Sequence, residues 1–348
     1  MSPAADRLRR YRSAAGLLMM LLLAGLAGCG GTTAPATGSP VSIALDFTPN
    51  PAHAPIYVAL RNGYDRRFGV RLQVRVPGTG PDALKLLLAG RADIAVMDIN
   101  DLGLARIRGA DVVGIAALVQ RPLGALIVQP GIRRPGDLRG KRMGVSGLPS
   151  DPAFLRAILS RDGARLSQVH QVTIGFNAVG QMLAGNIAGV PAFWSDEGVT
   201  LRLRGLPVRE FRIDSYGAPH FPEVVLAVTR ATLRRRRPAI VRALAAIALG
   251  ARKAVSDPRQ AAAVIEAAAL GGDGRLVRAQ TSALASSLLP ALRLNPAVLT
   301  AWSRFDAASR LLPRRVSINQ TFDFAPARQA LRLAAPGLAT LAPPSGAK

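Results

Sequence analysis

The chain has 348 residues, 49% of them hydrophobic and 19% charged, with 45 Lys and Arg against 21 Asp and Glu, a formal charge of +24 and a single cysteine. That length holds two domains of ordinary size, and one cysteine excludes both an internal disulfide framework and a thiolate metal cluster. The positive excess is almost all arginine, and its one dense run, Arg234 to Arg237, lacks the interleaved aromatics of a nucleic-acid stacking surface; a solvated face or attraction to anionic lipid is expected there instead.

At the amino end, Arg7, Arg9, Arg10 and Arg12 precede an apolar run from Ala14 to Leu26, followed at once by Leu26-Ala27-Gly28-Cys29. The run is shorter than the ~20 residues that span a bilayer. Positive, apolar, then small residues is the layout of a secretory signal, and the tetrapeptide resembles the bacterial lipobox. The resemblance implies cleavage before Cys29, acylation of its sulfur and an anchor on the extracytoplasmic face of the cell membrane. The division expected is a lipoprotein signal at 1–28 and a flexible small-residue tether at 29–40.

From Val41 short apolar, β-branched runs alternate with helical stretches. Strands are predicted over Val41–Leu45, Arg71–Val76, Ile94–Met97 and Val112–Leu118, with helices over Ala54–Asn62, Pro81–Ala89 and Ile99–Arg108 between them. Asn62-Gly63, Ala89-Gly90 and Arg108-Gly109 supply the glycine that closes a helix. Strand, helix, strand repeated is an α/β parallel sheet covered on both faces. After Gln120-Arg121-Pro122 a second set begins, with strands at Ala125–Val128, Arg142–Val145 and Val169–Ile174 and helices at Ala153–Arg161, Val179–Ala184 and Glu197–Arg204. A further strand at Val224–Thr229 leads into a helical portion: Pro238–Ser256, Arg259–Ala269, Leu276–Leu288 and Ala297–Arg310. Pro238 suits a first helical turn. The Pro-, Ala- and Gly-rich tail, 336–348, is expected to be disordered.

Chemistry concentrates first in Asp46-Phe47-Thr48-Pro49-Asn50-Pro51-Ala52-His53-Ala54-Pro55-Ile56-Tyr57, which runs from the carboxyl end of the first strand into the first helix, where parallel sheets bind ligands. Asn50 offers two donors and an acceptor, His53 a ring that stacks or hydrogen-bonds, and Tyr57 follows one helical turn later on the same face. The alternative is that Asn50 is a turn or cap residue and His53 a satisfied polar group.

This segment resembles the opening of the NMT1/THI5-like solute-binding proteins of ABC importers. Four stretches agree with it in order: Ala89-Gly90-Arg91-Ala92-Asp93-Ile94-Ala95, Gly140 to Ser150, Phe193-Trp194-Ser195-Asp196-Glu197-Gly198, and Tyr216-Gly217-Ala218-Pro219. The resemblance implies a type II periplasmic-binding fold, two Rossmann-like α/β lobes with a hinge and a helical C-terminal portion. The lobes expected are 41–122 plus 224–335 and 123–223, joined near Arg121-Pro122 and Phe221–Glu223. It also implies a monomeric binding lipoprotein that passes a small cyclic, nitrogen-containing solute, such as a thiamine pyrimidine precursor, to a permease and its ATPase. Riboflavin, or an anion such as an alkanesulfonate or nitrate, is the alternative solute.

Within that frame Asp98 ends a strand, or caps the next helix. Ser146 and Ser150 lie where a helix start receives a polar ligand atom, Ser150 or Asp151 being also a plain cap. Trp194 offers a face for stacking a ring, and Glu197 a carboxylate for its amino groups or an ordinary first-turn charge. Tyr216 stands in the last matching stretch. One departure is Ala188-Gly189, where the family usually carries Asp-Ala. One branch of the group is enzymatic, a pyrimidine synthase that needs an active-site Lys, several His and a Cys-rich motif; with His53, His170 and His220 and the lone Cys29, no catalysis, cofactor or metal is expected.

Overall fold

The computed structural model describes residues 38–77, 82–147, 151–269 and 273–341. Cys29 and Ser150, together with the expected signal and most of the expected tether, lie outside the described residues. The first half of the fold runs β1 (Ser39–Ala44), α1 (Ala54–Arg61), α2 (Tyr64–Arg67), β2 (Val70–Arg75), α3 (Asp82–Leu88), β3 (Ile94–Asp98), α4 (Ile99–Ile107) and β4 (Val112–Val119). β5 (Gly124–Val128), β6 (Arg142–Val145), α5 (Asp151–Leu159), β7 (His170–Thr173), α6 (Ala178–Leu183), β8 (Gly189–Phe193), α7 (Glu197–Leu203) and β9 (Arg209–Arg212) follow. The chain then returns through β10 (Val224–Thr229) to α8 (Arg230–Ser256), α9 (Pro258–Ala268), α10 (Gly274–Leu284), α11 (Pro296–Ser309), α12 (Ile318–Thr321) and α13 (Ala325–Thr340).

Two five-stranded sheets result, ordered β2-β1-β3-β10-β4 and β7-β6-β8-β5-β9. Neither is wholly parallel, which corrects the sequence expectation. β10 runs antiparallel to β3 and β4, and β5 antiparallel to β8 and β9. The reason is topological: β5 and β10 are the strands by which the chain enters one sheet from the other. They enter at the carboxyl end of the parallel strands, Val224 lying opposite Asp98 and Gly124 opposite Phe193, and so must run against them. The carboxyl ends of β1 and β3 in one sheet, and of β6 and β8 in the other, therefore face the two crossovers.

β4, although the edge strand of its sheet, is buried at all eight positions, its outer side met by Leu292 and Phe322 through isolated bridges to Ala117 and Gly114. α8 is kinked at Arg236 (φ −123°, ψ 17°), two residues before Pro238, so the second segment starts where the sequence placed it. Its middle, Ala243 to Ala251, is buried all round between α1 and α13. Gly250 permits that approach: a Cβ there would stand 2.0 Å from the Pro55 carbonyl oxygen.

Three further expectations are corrected. Ser39 and Pro40, assigned to the tether, pair with Val70 and Arg71 as the first rungs of β1. Residues 336–340, assigned to a disordered tail, continue α13, because Ala330, Ala334 and Gly337 form a small-residue face that packs on α8, Gly337 against Leu249. β9 was not foreseen; it is an arginine-rich edge strand with one buried residue, Phe211, and carries no apolar alternation to read.

Candidate functional site

The turn after β1 is built by its own polar residues. Asn50 caps the short 3-10 turn Pro51–His53: its Oδ1 accepts from Ala52 N (2.9 Å) and its Nδ2 donates to Thr48 O (3.1 Å). His53 is wholly buried, its Nδ1 facing the Asn50 N–H at 3.2 Å and its Nε2 lying 2.7 Å from Asp46 Oδ1. An N–H facing Nδ1 makes that nitrogen the acceptor, so the ring proton sits on Nε2 and is donated to Asp46. His53 thus presents no free ring nitrogen to a ligand, contrary to the expectation, while the half-buried Asn50 keeps a second Nδ2 proton beyond its bond to Thr48. What the two present is Asp46, whose side chain is 31% exposed at the end of the strand. Tyr57 is half-buried in α1 with its hydroxyl pKa raised by that burial.

β3 delivers a second carboxylate group. Asp98 caps α4 by accepting from Asn100 N at 2.6 Å, so the capping alternative holds. Its carboxyl turns inward to a hydrogen bond with Glu223 and is held well above the usual carboxylate range by burial, then by the charges of Glu223 and Asp101. Glu223, on the second crossover, is itself raised by burial, while its Oε2 accepts from Leu123 N, on the first crossover, at 2.9 Å. Asp306 of α11 completes the group: it is fully buried, neither carboxylate oxygen has a hydrogen-bond partner, and burial followed by Glu223 pushes it up to about 8. The neighbouring Trp302 gives its indole N–H to Asn100 Oδ1 instead (3.0 Å). Asp101, in the first turn of α4, keeps exposed surface, yet desolvation and then Asp46 raise its pKa.

In the second sheet, Trp194 follows β8 and is 5% exposed. Its Nε1 donates to Pro122 O (2.9 Å), its backbone N to Leu123 O (3.1 Å), and the Arg212 guanidinium lies 4.0 Å over its ring. The ring is therefore a wedge holding the first crossover, with one face under a cation, and not the open stacking platform the sequence suggested. Glu197 Oε2 accepts from Phe193 N (3.0 Å), satisfying the backbone ahead of its own helix, and its pKa is raised by burial and then by Asp196. Asp196 is raised by burial and takes a hydrogen bond from Gln280 of α10, a helix that also packs on the Pro51–His53 turn. The two segments singled out in the sequence thus meet the same helix. Ser146 Oγ reaches both Asp151 oxygens (3.1 and 2.9 Å), and Gly147 N donates to Asp151 Oδ2 (2.9 Å), so Asp151 is engaged by the end of β6. Tyr216 packs edge-on against Phe211 at 5.7 Å, its hydroxyl pKa raised first by burial.

Sequence reasoning passed over the exposed rings. Phe47, Phe176 and Phe193 are 66%, 89% and 44% exposed at or just beyond the carboxyl ends of β1, β7 and β8. The available signal was an aromatic within three residues of a strand end. Together with Asp46, Asp101, Asp196 and Glu197 they give the strand ends flat apolar faces beside hydrogen-bond acceptors. Among the described residues no group of three or more His, Cys, Asp or Glu is arranged to hold a metal ion, and no helix is long and apolar enough to cross a membrane.

Residues 50–261 match the family model described as NMT1/THI5 like. The chain is 29% identical over 189 residues to a formylaminopyrimidine-binding protein of Halalkalibacterium halodurans, an alignment covering 53% of this chain and 57% of that one. It is 26% identical over 151 residues to a 4-amino-5-hydroxymethyl-2-methylpyrimidine phosphate synthase of Schizosaccharomyces pombe, covering 43% of each. The chain spans about half the length of these curated relatives. In fold it is similar to the periplasmic aliphatic sulphonate binding protein of Escherichia coli, with a TM-score of 0.66 at 16% identity over 82% of this chain and 92% of that one. The fold is the type II periplasmic-binding fold.

Proposed function

The chain belongs to the NMT1/THI5-like family, and from that premise we propose that it is the solute-binding component of an ABC importer, capturing a small cyclic, nitrogen-containing solute of the aminopyrimidine class. The observation that carries this reading is the placement, near strand carboxyl ends of both sheets, of exposed phenylalanine rings and of carboxylates, Asp46 with the desolvated Asp101 on one side and the desolvated Asp196 and Glu197 on the other. An aminopyrimidine is a flat ring with amino donors, and its class is the one named for the Halalkalibacterium relative. An alkanesulfonate or nitrate would meet these carboxylates as like charges. The proposal is one of binding without catalysis, because the histidine of the motif is enclosed and engaged by Asp46 and Asn50.

Calorimetric titration tests it. Formylaminopyrimidine and hydroxymethylpyrimidine should bind, with riboflavin, an alkanesulfonate and nitrate as competitors for the reading. Asp101→Asn keeps the shape and removes the charge, so pyrimidine affinity should fall by the worth of a charge-assisted hydrogen bond, about 1.5–3 kcal/mol, or roughly tenfold to a hundredfold. Binding of the anions alone, or full pyrimidine affinity in Asp101→Asn, would overturn the assignment. The proposal includes an extracytoplasmic, monomeric protein held to the membrane by an acyl group on Cys29. Metabolic incorporation of a fatty-acid analogue should then vanish in Cys29→Ser, and label persisting in that variant refutes the anchor.

A further inference from the structure

The arginine run that the solute site leaves unused lines a cavity of about 420 Å³ at the far end of the first sheet, where β4 begins and β10 ends, away from the crossovers. Arg230, Arg234 and Arg237 of α8 and Arg328 of α13 converge there over an apolar floor that includes Leu233 and Phe322. Their charge is poorly balanced. Arg230 donates to Asp111 Oδ1 (2.6 Å) and to Gln320 O, and Arg237 Nη2 to Asp323 Oδ2 (3.1 Å), but Arg237 Nη1 is buried without an acceptor. Arg234 and Arg328 are exposed and have no carboxylate partner among the described residues.

Folding alone does not favour this arrangement. Arg230 and Arg234 stand in the short segment of α8 before its kink and Arg237 just after it, so basic residues crowd helix starts, where the positive dipole end makes them unfavourable. The crowding is felt by a neighbour: Arg106 has its pKa lowered by burial and next by Arg230. Guanidinium groups converging on a concave, partly apolar surface with an orphaned N–H are the chemistry that binds a tetrahedral oxyanion bidentately. The volume is that of a small-molecule site.

We propose that this cavity binds a phosphate ester, with the oxyanion held by Arg234, Arg237 and Arg328 and the organic part resting on Leu233 and Phe322. Two sources share that chemistry: the headgroup of an anionic phospholipid and a soluble phosphate ester. The full-length protein is tested for sedimentation with phosphatidylcholine vesicles containing or lacking phosphatidylglycerol, and by calorimetry with glycerol phosphate and inorganic phosphate. Arg234→Gln/Arg328→Gln is compared with Arg133→Gln/Arg156→Gln, which removes the same charge from exposed sites elsewhere. Phosphatidylglycerol-dependent sedimentation without soluble binding assigns the lipid source, and binding of glycerol phosphate assigns the soluble one. In either case affinity should fall at least tenfold in the Arg234/Arg328 variant and stay within twofold of wild type in the control, with pyrimidine titration unchanged in both. Absence of binding to every probe, or equal loss in the two double variants, overturns the proposal; equal loss would mean that net charge alone, not the cavity, attracts phosphate.

Discussion

Asp306 is the residue whose environment departs furthest from its chemistry. A fully buried carboxyl whose oxygens find no hydrogen-bond partner among the described residues favours the neutral acid, since ionising it there would place a buried charge beside Glu223. Its pKa in the fold is pushed up to about 8, above the 3.8 of an ordinary aspartate, so the folded chain keeps a proton that the unfolded chain releases. Its stabilising share is therefore complete below about pH 4, declines as pH rises towards 8, and is flat beyond. The decline is about 1.4 kcal/mol per pH unit for one proton. Asp306→Asn fixes the neutral form and should flatten this dependence, the variant gaining on wild type from pH 5 to pH 8 in denaturant unfolding. Parallel pH profiles for the two proteins would show that Asp306 ionises freely in the fold.

Gly250 decides the packing of α8 against α1. In an ordinary helix interior Gly→Ala gains about 1 kcal/mol from backbone entropy. Here the added methyl would stand 2.0 Å from a backbone oxygen, which no side-chain rotation relieves, and the two helices must separate. Overpacking of this kind costs about 1–3 kcal/mol, so the sign reverses and Gly250→Ala should unfold at lower temperature than wild type. A higher melting temperature would mean that α1 yields more easily than the buried alanines around Gly250 allow. The same closeness of approach operates at α13, whose small-residue face brings Gly337 against Leu249 of α8.

At the scale of the molecule, both crossovers are tied by side chains as well as by backbone bonds that extend the ladders, Trp194 N to Leu123 O and Ile99 N to Glu223 O. Glu223 reaches Leu123 N, Trp194 holds Pro122 and Leu123, and Asp214 bridges Arg121 (2.9 Å) and His220 (3.0 Å). The halves also meet away from these segments, where Gln280 of α10 donates to Asp196, so hinge closure on a ligand, the expected response of this architecture, turns about the crossovers and must rebuild that contact. With saturating pyrimidine the radius of gyration from small-angle scattering should fall. An unchanged radius at saturation would mean that solute binds without relative motion of the two sheets.

The sequence by itself determined most strands and helices of this protein, the helix-closing glycines and the family, because each of these is written in local periodicity or in residues close together in the chain. It located the Asn50–His53 turn and the Trp194–Glu197 turn, but not that the His53 and Trp194 rings are enclosed. A pattern shows that a histidine or tryptophan stands near a strand end, but not whether its ring turns to solvent or into the crossover. Tertiary structure alone decided that His53 and Trp194 point inward while Asp46, Phe47 and Phe193 face out. It also decided the reversed direction of β5 and β10, and the meeting of Asp98, Glu223 and Asp306 from three distant segments. These depend on which elements become neighbours, and burial and charge coupling arise only once those neighbours are in place.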